Sequence, residues 1–251
     1  KPSMKPAPTH PWVQRAGRSA VAALARHVNY HVVRGMADRD ARPDTDRFFG
    51  AATWTITQDY VRDATLELLC REIDEHDVPG ALAELGVFRG DFAWLMSTYL
   101  PERRIHLFDT FGGFDAEELE LDERAGLVAQ SIDFSPTAPA AVAARFASPE
   151  LVALHIGRFP DTTDGVSGPF ALVSIDADLY APMRSALIWF YERLSPGGAI
   201  LAHDFNNARF GGARKAVREF QDATGVAIVP LPDWGGTAVI VKPRAPVREP
   251  G

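Results

Sequence analysis

The sequence predicts an α/β protein with a seven-stranded, mainly parallel, doubly wound sheet and a C-terminal antiparallel hairpin. Three observations predict it. Seven short apolar runs, at 81–85, 105–108, 152–156, 171–175, 199–203, 226–229 and 237–241, have strand length and composition. Helical segments separate most of them, and runs that are apolar throughout suit strands buried on both faces of a parallel sheet. Only "PLPDWGG" lies between the last two, so they are expected to pair antiparallel at one edge.

The elements follow in order. Residues 1–57 are Pro-rich to Pro11, then helical in "WVQRAGRSAVAALARHVNYHVVRG", then polar in "ADRDARPDTD". They are expected to form a helical arm or lid on a main domain at 58–251. "DYVRDATLELLCREIDEHD" reads as an amphipathic helix, with Val61, Leu66, Leu69 and Ile73 near helical spacing and "VPG" ending it. Its Cys70 is the only cysteine, so no internal disulfide forms, and its place on a helix face suits a small core residue. The strands "ALAEL", "IHLF", "VALHI", "ALVSI" and "AILAH" then alternate with the helices "FAWLMSTYL", "APAAVAARF", "MRSALIWFYERL" and "ARKAVREFQDA". "VAIV" and "TAVIV" close the chain.

Composition narrows the function. The 251 residues are 46% hydrophobic and 24% charged, which allows one large domain with a full core. No apolar run reaches membrane-spanning length, so no membrane partner is expected. The net charge of -7 disfavours a nucleic-acid partner. Residues 1–36 hold six basic residues and no acid, leaving 20 basic and 33 acidic residues, a net of -13, in the remainder. This basic arm does not read as a signal peptide, because Arg26 interrupts a short apolar stretch and no cleavage motif follows. Its charge favours packing on its own acidic domain or across a homodimer. A lone cysteine fits a reducing, cytoplasmic setting.

Ligands of open α/β sheets sit at the carboxyl ends of the strands. There the sequence places Glu84 to Gly90, Asp109, Gly157, Asp176 with Asp178, and His203 with Asp204. Any one acid there is an ordinary turn or cap residue; acids at so many strand ends point to a ligand. In "AELGVFRGD", Gly86 and Gly90 allow a tight turn and close approach to a ligand, without the G-x-G-x-x-G of a dinucleotide loop. Asp109 lies where nucleotide folds place an acid on ribose hydroxyls.

"VPGALAELGVFRGDFA", "LFDTFGGF", "GRFPDTT", "VSIDADLYAP", "LSPGGAILAHDFNN" and "GGARKAVREF" resemble, in order and spacing, the macrocin O-methyltransferase (TylF-like) family over about residues 58–242. The resemblance implies a class I methyltransferase fold and S-adenosylmethionine as cofactor. It implies a hydroxyl-bearing small-molecule acceptor, expected to be glycosidic and part of a natural product. It assigns the methionine part of the cofactor to Glu84, Gly86 and Gly90, with Phe88, Thr110 and Asp176 also at the cofactor. Asp109 would hold the ribose, and Ser135, Gly157 and Arg158 would lie near the adenine. It also implies a divalent metal, Mg²⁺ or Mn²⁺, on Asp176, His203 and Asp204. Antibiotic-tailoring members carry two adjacent acids where this chain has His203 and Asp204, and magnesium prefers oxygen ligands.

Methylating an alcohol requires alignment of donor and acceptor, removal of a proton and stabilisation of alkoxide charge. Asp178 is the candidate base and His203 the competing one. Arg209, Phe210, Tyr180 and Trp234 are candidate walls of the acceptor pocket, and so is the segment 115–135. Two other functions remain open at this point: a nicotinamide-dependent reductase, against which the missing G-x-G-x-x-G and Tyr-x-x-x-Lys argue, and a non-catalytic nucleotide-binding protein.

Overall fold

The structure is a computed structural model that describes residues 59–129 and 137–244. The expected arm at 1–57 and Ser135 lie outside the described residues.

Helix α1 (Tyr60–Glu75) begins at Asp59, whose side chain caps it, and ends at His76. Of the four residues at helical spacing, Leu66 and Ile73 are buried and Val61 and Leu69 half-buried, and Cys70 is buried, as expected of a small core residue. Then follow β1 (Ala81–Leu85), α2 (Asp91–Tyr99), β2 (Ile105–Asp109), α3 (Ala116–Arg124) and α4 (Pro139–Ala143). A 3-10 turn at Pro149–Leu151 leads into β3 (Val152–Ile156), β4 (Phe170–Ile175) and α5 (Tyr180–Arg193). The chain continues through β5 (Leu194–Ala202), α6 (Gly211–Thr224), β6 (Val229–Pro230) and β7 (Ala238–Val241).

The seven strands form one sheet in the order β3-β2-β1-β4-β5-β7-β6. Pairings from β3 through β5 are parallel, whereas β7 is antiparallel to both β5 and β6. The predicted fold class is therefore observed. Alternate residues of each central strand enter opposite cores. Ala83, Val173 and Ile200 pack with Met183 and Phe190 of α5 and Val217 of α6. Leu82, Leu172 and Leu201 pack with Leu66 of α1 and Leu95 of α2. Burial on both faces makes the strands read as unbroken apolar runs.

Three elements depart from expectation. β5 starts at Leu194 rather than near 199, because "SPGG" still pairs: Leu194 lies opposite Phe170 and Gly197 N–H bonds to Lys242 O. β6 is a two-residue strand at 229–230, not at 226–229, because Val226 turns into the core. Helix α3 occupies part of the segment expected only to cover the pocket. The order in which the chain adds strands reverses between β1 and the parallel β4, which opens a crevice at their carboxyl ends.

Candidate active site

A cavity of about 360 Å³ fills that crevice. Of the candidate residues, Gly86, Phe88, Asp109, Thr110, Gly157, Arg158, Asp176, Asp178, His203 and Asp204 line it. Glu84 and Gly90 do not. Glu84 is buried beneath the wall, where its Oε2 accepts the Ala93 N–H at 3.1 Å, and burial raises its pKa well above the usual carboxyl range. Gly90 packs against Val142. Phe88, Phe111, Phe114, Phe159 and Phe210 make much of the remaining wall apolar.

The loops after β1 and β4 touch at Gly86. Its φ is +83°, and a Cβ there would lie 1.9 Å from the Asp176 carbonyl oxygen, so only glycine fits. Asp109, at the end of β2, clamps the same loop. One carboxylate oxygen accepts the N–H groups of Val87 and Phe88 at 2.6 and 2.8 Å, and the other accepts the Phe111 N–H at 2.6 Å. At the far end, Arg158 Nε donates to Oε1 of Glu118 at 2.9 Å. Glu118 is one of two buried acids of α3. The other, Asp122, accepts the Tyr180 N–H at 2.8 Å and so caps α5.

The opposite end holds a chain of charges. Asp176 Oδ2 accepts from Arg62 Nη2 at 2.9 Å, and its Oδ1 faces His203 Nδ1 at 2.9 Å. His203 Nδ1 also faces Asp204 Oδ2 at 3.3 Å, and Nε2 faces the Trp234 carbonyl at 2.9 Å. Asp178 shares a hydrogen bond with Asp204. Both occupy left-handed backbone, at φ of +58° and +60°, a strained conformation that clusters at functional sites.

Environment divides these carboxyls. Burial opposes charge on Asp176, but His203 and Arg62 hold its pKa well below the usual range. Burial pushes Asp178 well up, reinforced by its hydrogen bond to Asp204 and by the charges of Asp204 and Asp176. Burial would lower His203, yet Asp176 and the hydrogen bonds to both acids push it up to about 10. The ligand atoms of Asp176, His203 and Asp204 lie within 4.8 Å of one another. The Nε2 contact with a backbone carbonyl is the usual way to turn the other ring nitrogen toward an ion. With the Nδ1 proton of His203 released on binding, the set of one nitrogen and two carboxylates fits a divalent cation, and better a borderline ion such as Mn²⁺ than Mg²⁺.

Other candidates sit differently. Phe210 is buried in the wall. The Tyr180 hydroxyl points to Glu219, and Arg209 does not line the cavity. Trp234 is 66% exposed, and its backbone makes the contact with His203. Sequence reasoning missed Arg62, Glu118 and Asn207. Arg62 carried one signal: a cation in the first turn of a helix opposes the helix dipole and needs another reason to be there.

A sequence model of the macrocin O-methyltransferase (TylF) family matches residues 14–241. The chain is 28% identical to 8-demethyl-8-(2,3-dimethoxy-α-L-rhamnosyl)-tetracenomycin-C 4'-O-methyltransferase of Streptomyces olivaceus, over 80% of this chain and 81% of that one. It is 29% identical to mycinamicin III 3''-O-methyltransferase of Micromonospora griseorubida, over 60% and 63%. Its fold is similar to that of the O-methyltransferase NovP, with a TM-score of 0.58 at 22% identity over 72% of this chain and 79% of that one. It is similar also to the calicheamicin methyltransferase CalS11, with a TM-score of 0.57 at 24% identity over 71% and 77%. The family match spans all the strands and sets the nicotinamide reading aside. The chain belongs to the macrocin O-methyltransferase family and is an S-adenosylmethionine-dependent O-methyltransferase.

Proposed function

We propose that the chain methylates a hydroxyl of a sugar carried by a natural product, assisted by a divalent cation. The observation that carries this reading is the cavity whose acidic end joins Asp176, Asp178, His203 and Asp204. The relative named for a rhamnosyl-bearing substrate supports the acceptor class.

S-adenosylmethionine, when bound, supplies a methyl group on a sulfonium sulfur. Gly86 lets the β1 loop approach it, Phe88, Thr110 and Gly157 form its walls, and Arg158 with Glu118 closes the adenine end. A carboxylate offers about four acceptor sites. Asp109 uses three on backbone N–H groups, so one remains for a ribose hydroxyl. Asp176, His203 and Asp204 would hold the cation, which when bound lowers the pKa of a coordinated hydroxyl. Asp178 takes the hydroxyl proton. Its raised proton affinity makes it a stronger base than a surface aspartate once its carboxyl is ionised.

The test is methyl transfer to rhamnosylated glycosides, read by mass spectrometry. Chelation is expected to abolish transfer and Mn²⁺ or Mg²⁺ to restore it. Asp176→Asn is expected to bind S-adenosylmethionine but not transfer. Full activity after exhaustive chelation would refute the metal part of the reading.

A further inference from the structure

The hydrogen bonds around Asp176 and His203 close into a ring that passes through the start of α1. Asp59 Oδ1 accepts the Arg62 N–H at 3.2 Å, and Oδ2 accepts the Trp234 N–H at 2.6 Å. The Trp234 carbonyl then meets His203 Nε2, His203 Nδ1 meets Asp176 Oδ1, and Asp176 Oδ2 returns to Arg62, each at 2.9 Å. One ring thus joins α1, the β6–β7 turn and the ends of β4 and β5. The turn cannot back away from the site without breaking it. Gly235 lies so close that a Cβ would stand 2.7 Å from Asp204 Oδ1 and 2.9 Å from His203 Cε1.

Arg62 is a costly residue in this place. Its guanidinium lies over the Phe92 ring, 4.1 Å from the centroid, and among the described residues its buried Nε has no hydrogen-bond partner. A well-packed apolar side chain would stabilise such a site as well or better. The gain from the charge lies in Asp176: with Oδ2 committed to Arg62, Oδ1 is the oxygen that faces His203.

We propose that Asp59 and Arg62 are positioning residues for methyl transfer, fixing the Asp176 carboxylate and the His203 ring in one orientation. Neither lines the cavity. The proposal rests on the reading that Asp176 and His203 serve the acceptor hydroxyl. Partners of this kind, one step removed from the reacting groups, are commonly worth about 10–100-fold in activity or metal affinity.

The experiment uses the full chain with Asp59→Asn, Arg62→Gln and Arg62→Lys. An Asn at 59 can satisfy only one of the two N–H groups that Asp59 accepts. Four quantities are read: thermal midpoint, S-adenosylmethionine affinity, kcat, and the ¹⁵N resonances of the His203 ring, identified by their loss in His203→Asn. Asp59→Asn and Arg62→Gln are expected to fold and to bind cofactor within about 2-fold of wild type. Their kcat should fall about 10–100-fold, the His203 resonances should move, and Arg62→Lys should recover part of the loss. Should Arg62→Gln fail to fold, Asp59→Asn decides alone. Folded variants with unmoved His203 resonances or with wild-type kcat would overturn the proposal. If Asp176→Asn also keeps wild-type kcat, the fault lies in the reading of Asp176 and not in the ring.

Discussion

Asp109 and Gly86 show how single residues shape the cofactor cleft. Asp109 receives backbone donors on both carboxylate oxygens, so an amide at this position would turn its NH₂ against at least one of them. Asp109→Asn is expected to weaken S-adenosylmethionine binding by about 1.5–3 kcal/mol, the range for charge-assisted hydrogen bonds, as calorimetry would show. Gly86→Ala combines left-handed backbone with a Cβ inside the Asp176 carbonyl. It should destabilise the fold by about 3 kcal/mol or more, seen in urea unfolding. Asp109, Asp176, Asp178, His203 and Asp204 were legible because an acid or histidine just past an apolar strand has its place set by the strand. Arg62 was not, because its partner lies 114 residues away and no local pattern links them.

Among the elements, α3 was hidden from sequence reasoning. Its buried side chains are Glu118 and Asp122, so it lacks the apolar period by which helices are recognised. Asp122→Ala leaves the Tyr180 N–H at the start of α5 unsatisfied, and should cost about 1–2 kcal/mol in denaturant melts. The pair β2–β3 carries a pH dependence. His106 Nδ1 lies 3.0 Å from His155 Nε2, and burial, with His155 and Arg104 nearby, pushes His106 down to about 4. The folded state therefore favours the neutral ring. Its contribution is complete above pH 6.5, the ordinary value, and is lost as pH falls from there through about 4. His106→Phe should reduce the loss of stability over that window by roughly 1–2 kcal/mol, less than the full shift implies because solvent screens the partly exposed ring, measured by chemical denaturation at each pH. An unchanged pH profile in the variant would show that His106 is not the group responsible.

For the whole molecule, the charge asymmetry carries a prediction about the arm. The sequence has six basic residues and no acid at 1–36 and a net of -13 in the remainder, and we propose that residues 1–57 cover the site or join two copies. Deleting residues 1–47 is then expected to leave a folded core with lower activity or a smaller assembly. Equal activity and equal mass per particle in light scattering would refute it. Among the described residues, no helix is long and apolar enough to cross a membrane. The seven strands, their alternation with helices and the antiparallel closing pair were determined by the sequence alone, because apolar periodicity, turn residues and connection length are local properties. So was the concentration of acids at one edge of the sheet, which follows from where each strand ends. Only the tertiary structure decided that Glu84 lies beneath the cavity wall, that Asp176 stays ionised while Asp178 favours its proton, and that Asp59 and Trp234 close a ring through His203. Those outcomes depend on which distant charges and backbone groups meet away from water, where a single partner shifts an ionisation or fixes a side chain, and no stretch of sequence holds both partners.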